Sequence, residues 1–240
     1  MRIIAEVAPT RSRDRLASMM ARLRGLVDAV DVPEAPLARP GAHSIAVAHM
    51  VEHHFGIDAI AHIRLIDVNW TGFESLLGAA LLLGVDEVVV LQGDPPLRGS
   101  PVDQISTEEA VRFVKEKSRY SGLRVGAVAS LARIDAELEE RMGIGADFYL
   151  ATRLSVPSQL DRQPIQEARR RGAEVYPYIV VSTEKNRDLL ARSLNPQLFA
   201  PVERVPGMVE ELQGLADGVL ISVPLDFDGL VEALRLLSKR

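Results

Sequence analysis

The sequence predicts a single (β/α)8 barrel, a TIM barrel, formed by residues 1–240 as one domain. Eight short apolar runs alternate with helix-like stretches from one end of the chain to the other. The runs are continuously apolar, which is typical of parallel strands that helices cover on the outside. A length of 240 residues suits one large α/β domain and is short for two well-buried ones. An open doubly wound sheet is the alternative, but no G-x-G-x-x-G turn follows the first strand.

The elements follow one another in a regular order. The predicted strands cover Arg2–Ala8, Ala29–Val32, Ala59–Val68, Glu87–Leu91, Arg124–Ala129, Asp147–Ala151, Glu174–Val181 and Gly218–Val223. The predicted helices after them cover Asp14–Leu26, Ser44–His54, Phe73–Leu83, Thr107–Arg119, Asp135–Met142, Pro157–Arg171, Glu184–Arg192 and Asp228–Lys239. An extra loop over Pro196–Pro206 and a short helix over Met208–Leu215 precede the last strand. Gly84, Gly122 and Gly172 mark helix ends, where glycine adopts the left-handed conformation without strain.

Composition excludes several classes of protein. The net charge of −5 argues against nonspecific binding to nucleic acid, which needs a basic surface. The absence of cysteine excludes disulfides, thiolate nucleophiles and cysteine-based zinc sites. No apolar run approaches the roughly 20 residues that span a bilayer, and the chain opens directly into a strand-like run without a signal peptide. We therefore expect a cytoplasmic protein with no membrane association. Few asparagines and no cysteine suit a thermophile, although the arginine bias also suits a GC-rich genome.

Glu6 is the first candidate for catalysis. In a closed barrel, polar residues at the carboxyl ends of the strands form the active site. Glu6 lies near the end of an apolar strand, where a carboxylate is costly unless it is paired, solvated or protonated. A raised pKa would suit a general acid near neutral pH. The alternative is a structural salt bridge to an arginine across the barrel.

Two further strand ends carry polar side chains. His62 and Arg64 share one face of the third strand, with Asp67 on the opposite parity. His62 either binds a ligand or is a hydrogen-bonded core histidine. After the fourth strand, Gly93 permits close approach of a ligand to the backbone, and Asp94 then projects at the barrel mouth or caps local backbone.

Thr152 and Arg153 end the sixth strand. The planar guanidinium of Arg153 suits a carboxylate or a phosphate, so it is a candidate for binding an anionic group. It could equally balance the charge of Glu6 or Asp94.

The segment His49-Met-Val-Glu52-His53 matches the H-x-x-E-H pattern of some zinc peptidases, and its two histidines share a helical face. The segment reads as an outer helix, away from the strand ends, and no third ligand is evident. We therefore expect no metal site here.

Three stretches together resemble the methylenetetrahydrofolate reductase family. Glu6-Val-Ala-Pro9 is similar to the family's Glu-Phe-Phe-Pro-Pro segment, and His62-Ile-Arg-Leu-Ile-Asp67 is similar to its His-Leu-Thr-Cys-x-Asp segment. Leu91-Gln-Gly-Asp-Pro-Pro96 is similar to its Leu-Arg-Gly-Asp segment. Gly145-Ala-Asp147 also resembles the segment before the family's sixth strand. The motifs occur in the family's order at the ends of the corresponding strands.

The resemblance implies roles for these residues. Glu6 would be the general acid that activates the methylene carrier, and Asp94 would lie between flavin and pterin and orient the pterin. His62 would lie against the flavin, with Gln92 and Gly93 also on the cofactor side. Arg141 matches a basic residue that contacts the flavin phosphates. Thr152, at the position of a pterin-binding glutamine, and the neighbouring Arg153 would bind the substrate.

The departures from the family pattern concern the flavin above all. The strand-two Thr-Tyr-Gly segment is replaced by Val32-Pro-Glu-Ala-Pro36, and the Tyr-Pro-Glu-x-His segment after strand five by Val128-Ala-Ser-Leu-Ala132. The Phe-Phe-Asp run after strand six is Leu154-Ser-Val156, and Gln92 replaces an arginine. The resemblance implies FAD as the cofactor. Because these segments differ, the alternative is NAD(P)H as a direct hydride donor without a flavin.

The expected function is reduction of a methylene group to methyl on a folate-type or related pterin C1 carrier. We also expect a redox partner protein and a homo-oligomer. One alternative is an accessory barrel subunit of a larger redox complex that has lost its own flavin. Another is an unrelated barrel lyase or aldolase that anchors an anionic substrate through Arg64 or Arg153. A Schiff-base version is disfavoured because no lysine lies on any predicted strand.

Overall fold

The computed structural model describes residues 1–193 and 198–238, and these form a closed parallel barrel. The strands are β1 (Arg2–Glu6), β2 (Ala29–Val32), β3 (Asp58–Arg64), β4 (Glu87–Leu91), β5 (Arg124–Ser130), β6 (Phe148–Thr152), β7 (Glu174–Ser182), β8 (Ala200–Pro201) and β9 (Gly218–Ser222). Strands β1 to β7 pair in chain order, and β9 closes the ring between β7 and β1. The two residues of β8 pair only with the end of β7. The predicted (β/α)8 barrel is thus confirmed.

Helices alternate with the strands and cover the barrel. They are α1 (Arg13–Leu23), α2 (Ser44–Phe55), α3 (Trp70–Leu83), α4 (Thr107–Glu116), α5 (Asp135–Met142), α6 (Gln163–Arg170), α7 (Arg187–Ser193), α8 (Val205–Glu211) and α9 (Phe227–Ser238). At the starts of α1, α2, α3 and α4 a side chain accepts a hydrogen bond from a free backbone N–H group, and in α4 Ser106 and Glu109 cap each other reciprocally. Gly56 and Gly84 end α2 and α3 in the left-handed conformation. No helix in the described part of the chain is both long and apolar enough to cross a membrane.

The barrel interior is filled in layers. At the amino-terminal end of the strands, Glu87 accepts hydrogen bonds from Arg2 (3.0 Å) and Arg124 (2.5 Å), and Arg124 also pairs with Glu174. The next layer is fully buried and, apart from the Tyr176 hydroxyl, apolar. Gly126 makes room in it for the Phe148 ring, since a Cβ at position 126 would lie 2.3 Å from Phe148 Cε2. These two layers fill the amino-terminal end and the middle of the barrel, so the next inward-facing side chains lie at its carboxyl end.

Several predicted boundaries were wrong for local reasons. The third strand ends at Arg64, because Leu65–Asp67 form one 3-10 turn. The predicted helix Pro157–Arg171 is divided into a 3-10 turn, Pro157–Asp161, and α6, since Pro164 lacks an N–H and suits a new helix start.

The predicted loop Pro196–Pro206 contains β8 and a 3-10 turn (Val202–Arg204), and α8 begins at Val205 rather than Met208. The first two residues of that predicted loop, 196–197, and the predicted final residue of the last helix, Lys239, lie outside the described residues.

Candidate active site

Five inward-facing side chains from five strands meet at the carboxyl end of the barrel. They are Glu6 on β1, Asp31 on β2, His62 on β3, Tyr178 on β7 and Ser222 on β9. Each lies two residues beyond a side chain of the apolar layer, so strand alternation points it the same way. Glu6 and Asp31 are directly paired in the β1–β2 register, which puts two carboxyl groups side by side. We call these five residues the mouth cluster.

Hydrogen bonds fix the orientation of the mouth cluster. Ser222 Oγ donates to Glu6 Oε1 at 2.8 Å, and His62 Nε2 donates to Asp31 Oδ1 at 2.7 Å. Ser44 Oγ donates to the backbone oxygen of His62 at 2.5 Å, which ties α2 to β3. The other carboxylate oxygen of Asp31 is buried and has no hydrogen-bond partner within the described residues. Among the described residues, the Asp31 carboxylate is therefore held through Oδ1 by His62.

The surroundings of Glu6 favour its protonated form. Burial raises the pKa of the Glu6 carboxyl, and the neighbouring Asp31 charge raises it further, against the opposing effects of Ser222, His62 and Tyr178. Burial alone would lower the pKa of His62, but the charge and hydrogen bond of Asp31 outweigh burial and raise it. Burial and the two carboxyl groups raise the pKa of Tyr178 well above its ordinary value. The cluster thus favours a neutral Glu6, a neutral Tyr178 and an imidazolium on the Asp31 carboxylate.

An apolar cleft of about 480 Å³ opens beside Glu6. Glu6 and Arg39 are its charged lining residues, and the others are glycine, alanine, leucine and proline. Leu37 and Leu225, which are 48% and 68% exposed, lie on its walls in the left-handed backbone conformation that side chains rarely adopt. The volume and lining are those of small-molecule sites, which are mostly apolar with a few placed polar groups.

Arg64 joins the three loops that follow β2, β3 and β4. Its guanidinium is buried, and it donates to the Asp67 carboxylate through Nε (2.7 Å) and Nη2 (3.3 Å). It also donates to the backbone oxygens of Ala35 (3.2 Å) and Asp94 (2.9 Å). Gly93, at φ +84°, allows this approach, since a Cβ there would lie 3.1 Å from Arg64. The glycine that the sequence suggested for ligand approach makes room for a side chain of the protein itself.

The remaining predicted site residues lie at separate places. Gln92 donates through Nε2 to the backbone oxygen of Ile105 at 2.7 Å, and the Asp94 side chain is exposed in the same loop. Thr152 ends β6 partly buried, followed by the exposed Arg153, which has a positive φ of 62°. Arg141 lies on the outer helix α5 and pairs with a glutamate of α4 at 3.1 Å. Of the predicted set, Glu6 and His62 are brought together in the mouth cluster.

Sequence reasoning missed Asp31, Tyr178 and Ser222. Asp31 carried a signal, because it is the single charged residue of a short apolar strand and therefore a buried carboxylate. Tyr178 and Ser222 have inward parity on their strands, but their proximity to Glu6 depends on the strand register, which the sequence does not show. The alternative for Glu6, a salt bridge to an arginine, is not present among the described residues, where Glu6 accepts a hydrogen bond from Ser222.

The histidines of the H-x-x-E-H segment have a structural contact. His49 Nδ1 and His53 Nε2 lie 2.7 Å and 3.1 Å from the backbone oxygen of Leu83, in the last turn of α3. Among the described residues, no group of three or more His, Asp or Glu side chains is arranged to hold a metal ion.

Comparisons with solved structures show the same fold at low identity. A protein from Clostridium thermocellum that binds two copies of 5-methyl-5,6,7,8-tetrahydrofolic acid superposes with a TM-score of 0.65 at 9% identity, covering 100% of this chain and 96% of that one. Tryptophan synthase from M. tuberculosis also gives 0.65, at 13% identity and with 99% and 91% coverage. A mandelate oxidase mutant with an FMN adduct gives 0.59 at 14% identity, with 99% and 71% coverage. At these identities the likeness concerns the fold alone.

The sequence itself decides the family. No curated protein sequence matches this chain. The model of the family described as methylenetetrahydrofolate reductase matches residues 3–151, more than half of the chain. That range includes Glu6, His62 and Asp94, on which the sequence resemblance rested. The chain belongs to the methylenetetrahydrofolate reductase family.

Proposed function

We propose that this protein reduces the methylene group of a folate-type or related pterin C1 carrier to a methyl group, with Glu6 as the general acid. The observation that carries the proposal is a carboxyl group, favoured in its protonated form, that borders an apolar cleft of about 480 Å³. A general acid needs a proton to give near neutral pH and a site that limits access of water. The folate-binding structural neighbour agrees with a pterin ligand.

The proposed chemistry assigns one proton and one hydride. Glu6 gives its proton to the pterin nitrogen that holds the methylene bridge, and the bridge opens to an iminium ion. A hydride then adds to the iminium carbon and completes the methyl group. Asp94 orients the pterin, and Thr152 and Arg153 hold the remainder of the carrier. Glu6, left as a carboxylate that accepts from Ser222, regains its proton from solvent at the mouth.

The residues that the resemblance assigns to a flavin do not fit that cofactor well. His62 is buried, 4% exposed, and donates to Asp31. The Gln92 amide and the Arg141 guanidinium are bonded to Ile105 and Glu108 within the chain. Binding a flavin through these groups would first break those contacts. We therefore propose reduced nicotinamide dinucleotide as the direct hydride donor.

The experiment is a turnover assay with the purified protein. Methylene-tetrahydrofolate and NADH or NADPH are supplied, and the methyl product is measured alongside the visible spectrum of the protein. We expect methyl product from a colourless protein and a loss of about 100-fold or more in kcat for Glu6→Gln. Glu137→Gln, on the outer helix α5, is the matched control and keeps full activity.

Two outcomes contradict the proposal, namely no methyl product with any pterin carrier or unchanged turnover in Glu6→Gln. A tightly bound flavin in the purified protein would overturn the choice of hydride donor alone.

The internal bonding of the flavin-assigned residues also favours a second candidate, an accessory barrel subunit of a redox complex. It predicts binding of the pterin carrier in calorimetry without turnover by the isolated protein. Turnover by the isolated protein would exclude it.

A further inference from the structure

Glu6 is surrounded by polar groups from every strand packed beside it at the mouth. Asp31 is its register partner on β2, and Ser222 Oγ from β9 lies 2.8 Å from it. His62 on β3 reaches it through Asp31, at 2.7 Å, and the Tyr178 hydroxyl on β7 lies beside both carboxyl groups. Beyond these, the loop after β2 contributes Glu34, which influences His62 and accepts from the backbone N–H of Ser44 at 2.6 Å.

Burying these polar groups costs folding free energy, which points to a functional role for them. Asp31 and His62 are 0% and 4% exposed, and one carboxylate oxygen of Asp31 has no hydrogen-bond partner among the described residues. A buried carboxylate with an unsatisfied oxygen costs folding free energy. The inward-facing positions in the layer directly below are filled mostly by apolar side chains, which shows that the barrel can be packed without buried carboxylates.

We propose that Asp31, His62 and Tyr178 are positioning residues that act through Glu6. Asp31 holds the proton on Glu6 before the reaction. His62 and Tyr178 stabilise the Glu6 carboxylate that remains after the proton has left. The inference rests on the proposed role of Glu6 as the general acid. Two adjacent carboxyl groups resist simultaneous ionisation, so the Asp31 carboxylate keeps Glu6 neutral. Once Glu6 has given its proton to the substrate nitrogen, the imidazolium of His62 balances one of the two negative charges, and the hydroxyls of Tyr178 and Ser222 donate hydrogen bonds.

The proposal predicts pKa changes of opposite sign in two variants. Asp31→Asn removes the negative charge next to Glu6, so the pKa of Glu6 falls. The smaller opposing effect of His62 does not cancel this change. Tyr178→Phe removes a hydroxyl that favours the Glu6 carboxylate, so the pKa of Glu6 rises. Ser222→Ala removes another such hydroxyl and shifts the pKa in the same direction as Tyr178→Phe.

The test is a 13C NMR titration of the full-length protein labelled at glutamate carboxyl carbons, with Glu6→Gln identifying the Glu6 signal. Tyr176→Phe is the matched control, because it removes a phenol hydroxyl from the same strand in the layer below, where Arg2 is the neighbour. We expect a lower Glu6 titration midpoint in Asp31→Asn, a higher one in Tyr178→Phe and Ser222→Ala, and the wild-type midpoint in Tyr176→Phe. In active protein, the alkaline limb of kcat/KM moves in the same directions.

An unchanged midpoint in Asp31→Asn and Tyr178→Phe, or a shift of the same sign in both, overturns the inference. If Asp31→Asn fails to fold by circular dichroism, the upward shifts in Tyr178→Phe and Ser222→Ala decide, and their absence overturns it. The titration needs no turnover, so the two proposals can fail separately. Opposite shifts without any methyl product would contradict the proposed function alone, and normal turnover without shifts would contradict this inference alone.

Discussion

Glu52 on α2 gives the sharpest prediction of stability against pH. Its Oε1 accepts from the backbone N–H of Ala59 at 3.2 Å, and its Oε2 is buried without a partner in the described residues. Burial, together with the charges of Asp86, Asp58 and Glu87, raises the pKa of Glu52 from 4.5 to about 7. The folded state therefore binds a proton that the unfolded state releases at lower pH, and folding stability falls as the pH rises from 4.5 to 7.

The size of the effect follows from the shift. At 1.36 kcal/mol for each pKa unit, ionising Glu52 costs the folded protein about 3 kcal/mol, or about 2 kcal/mol once water reaches the half-buried carboxyl. Glu52→Gln keeps an oxygen to accept from the Ala59 N–H and removes the ionisation. The free energy of unfolding of the variant, relative to wild type, should therefore rise by about 2 kcal/mol between pH 4 and pH 8.

The assay is urea denaturation followed by circular dichroism at both pH values. Comparing the two pH values cancels any fixed cost of the amide, and Glu137→Gln on α5 serves as the matched control, because it makes the same substitution at an exposed glutamate. A melting temperature difference of about 4–8 °C should accompany the change for a chain of this size. A stability difference between variant and wild type that is the same at pH 4 and pH 8 would refute the reasoning.

Three further predictions concern packing and ion pairs. Gly126→Ala should destabilise the protein by about 1–3 kcal/mol in urea denaturation, because its Cβ meets the Phe148 ring at 2.3 Å, and adding Phe148→Leu should recover most of the loss. Arg64→Met should release the loop that carries Asp94, because it removes the hydrogen bond to the Asp94 backbone oxygen. Limited proteolysis would detect this as faster cleavage after β4, and an unchanged cleavage rate would contradict the assigned contact. Glu87→Gln should lower the free energy of unfolding, measured by urea denaturation, by about 3 kcal/mol. The reason is that two arginines at the amino-terminal end of the barrel lose their shared carboxylate. A loss below about 0.5 kcal/mol would mean that the ion pairs contribute little.

Much of the fold was predictable because its signals are local. Continuous apolar runs marked the strands, and β2 and β4 were predicted with their observed bounds. The errors fell where local signals compete. The apolar residues after Arg64 suggested more strand, but they form a 3-10 turn whose start lies beside the contacts of Arg64 with Asp67 and Asp94.

The site was predictable in part for the same reason. Glu6 and His62 could be placed at the mouth from strand alternation, which needs only the sequence. Their partners could not, because the pairing of Glu6 with Asp31 depends on strand register, and Ser222 lies 216 positions away from Glu6. The contact of Arg64 with the backbone of Asp94 also joins separate loops, and backbone oxygens carry no residue-specific signal.

The sequence by itself determined the barrel, the family and the strand ends at which catalysis is proposed. Tertiary structure alone decided what each polar side chain faces. Barrel closure brings β9 beside β1 and β7 beside β9, so that Ser222 and Tyr178 join Asp31 of β2 around Glu6. The protonation of a carboxyl depends on the charges and burial within a few ångströms of it. For Glu6 these are contributed by residues remote in sequence, and only the folded chain brings them to that distance.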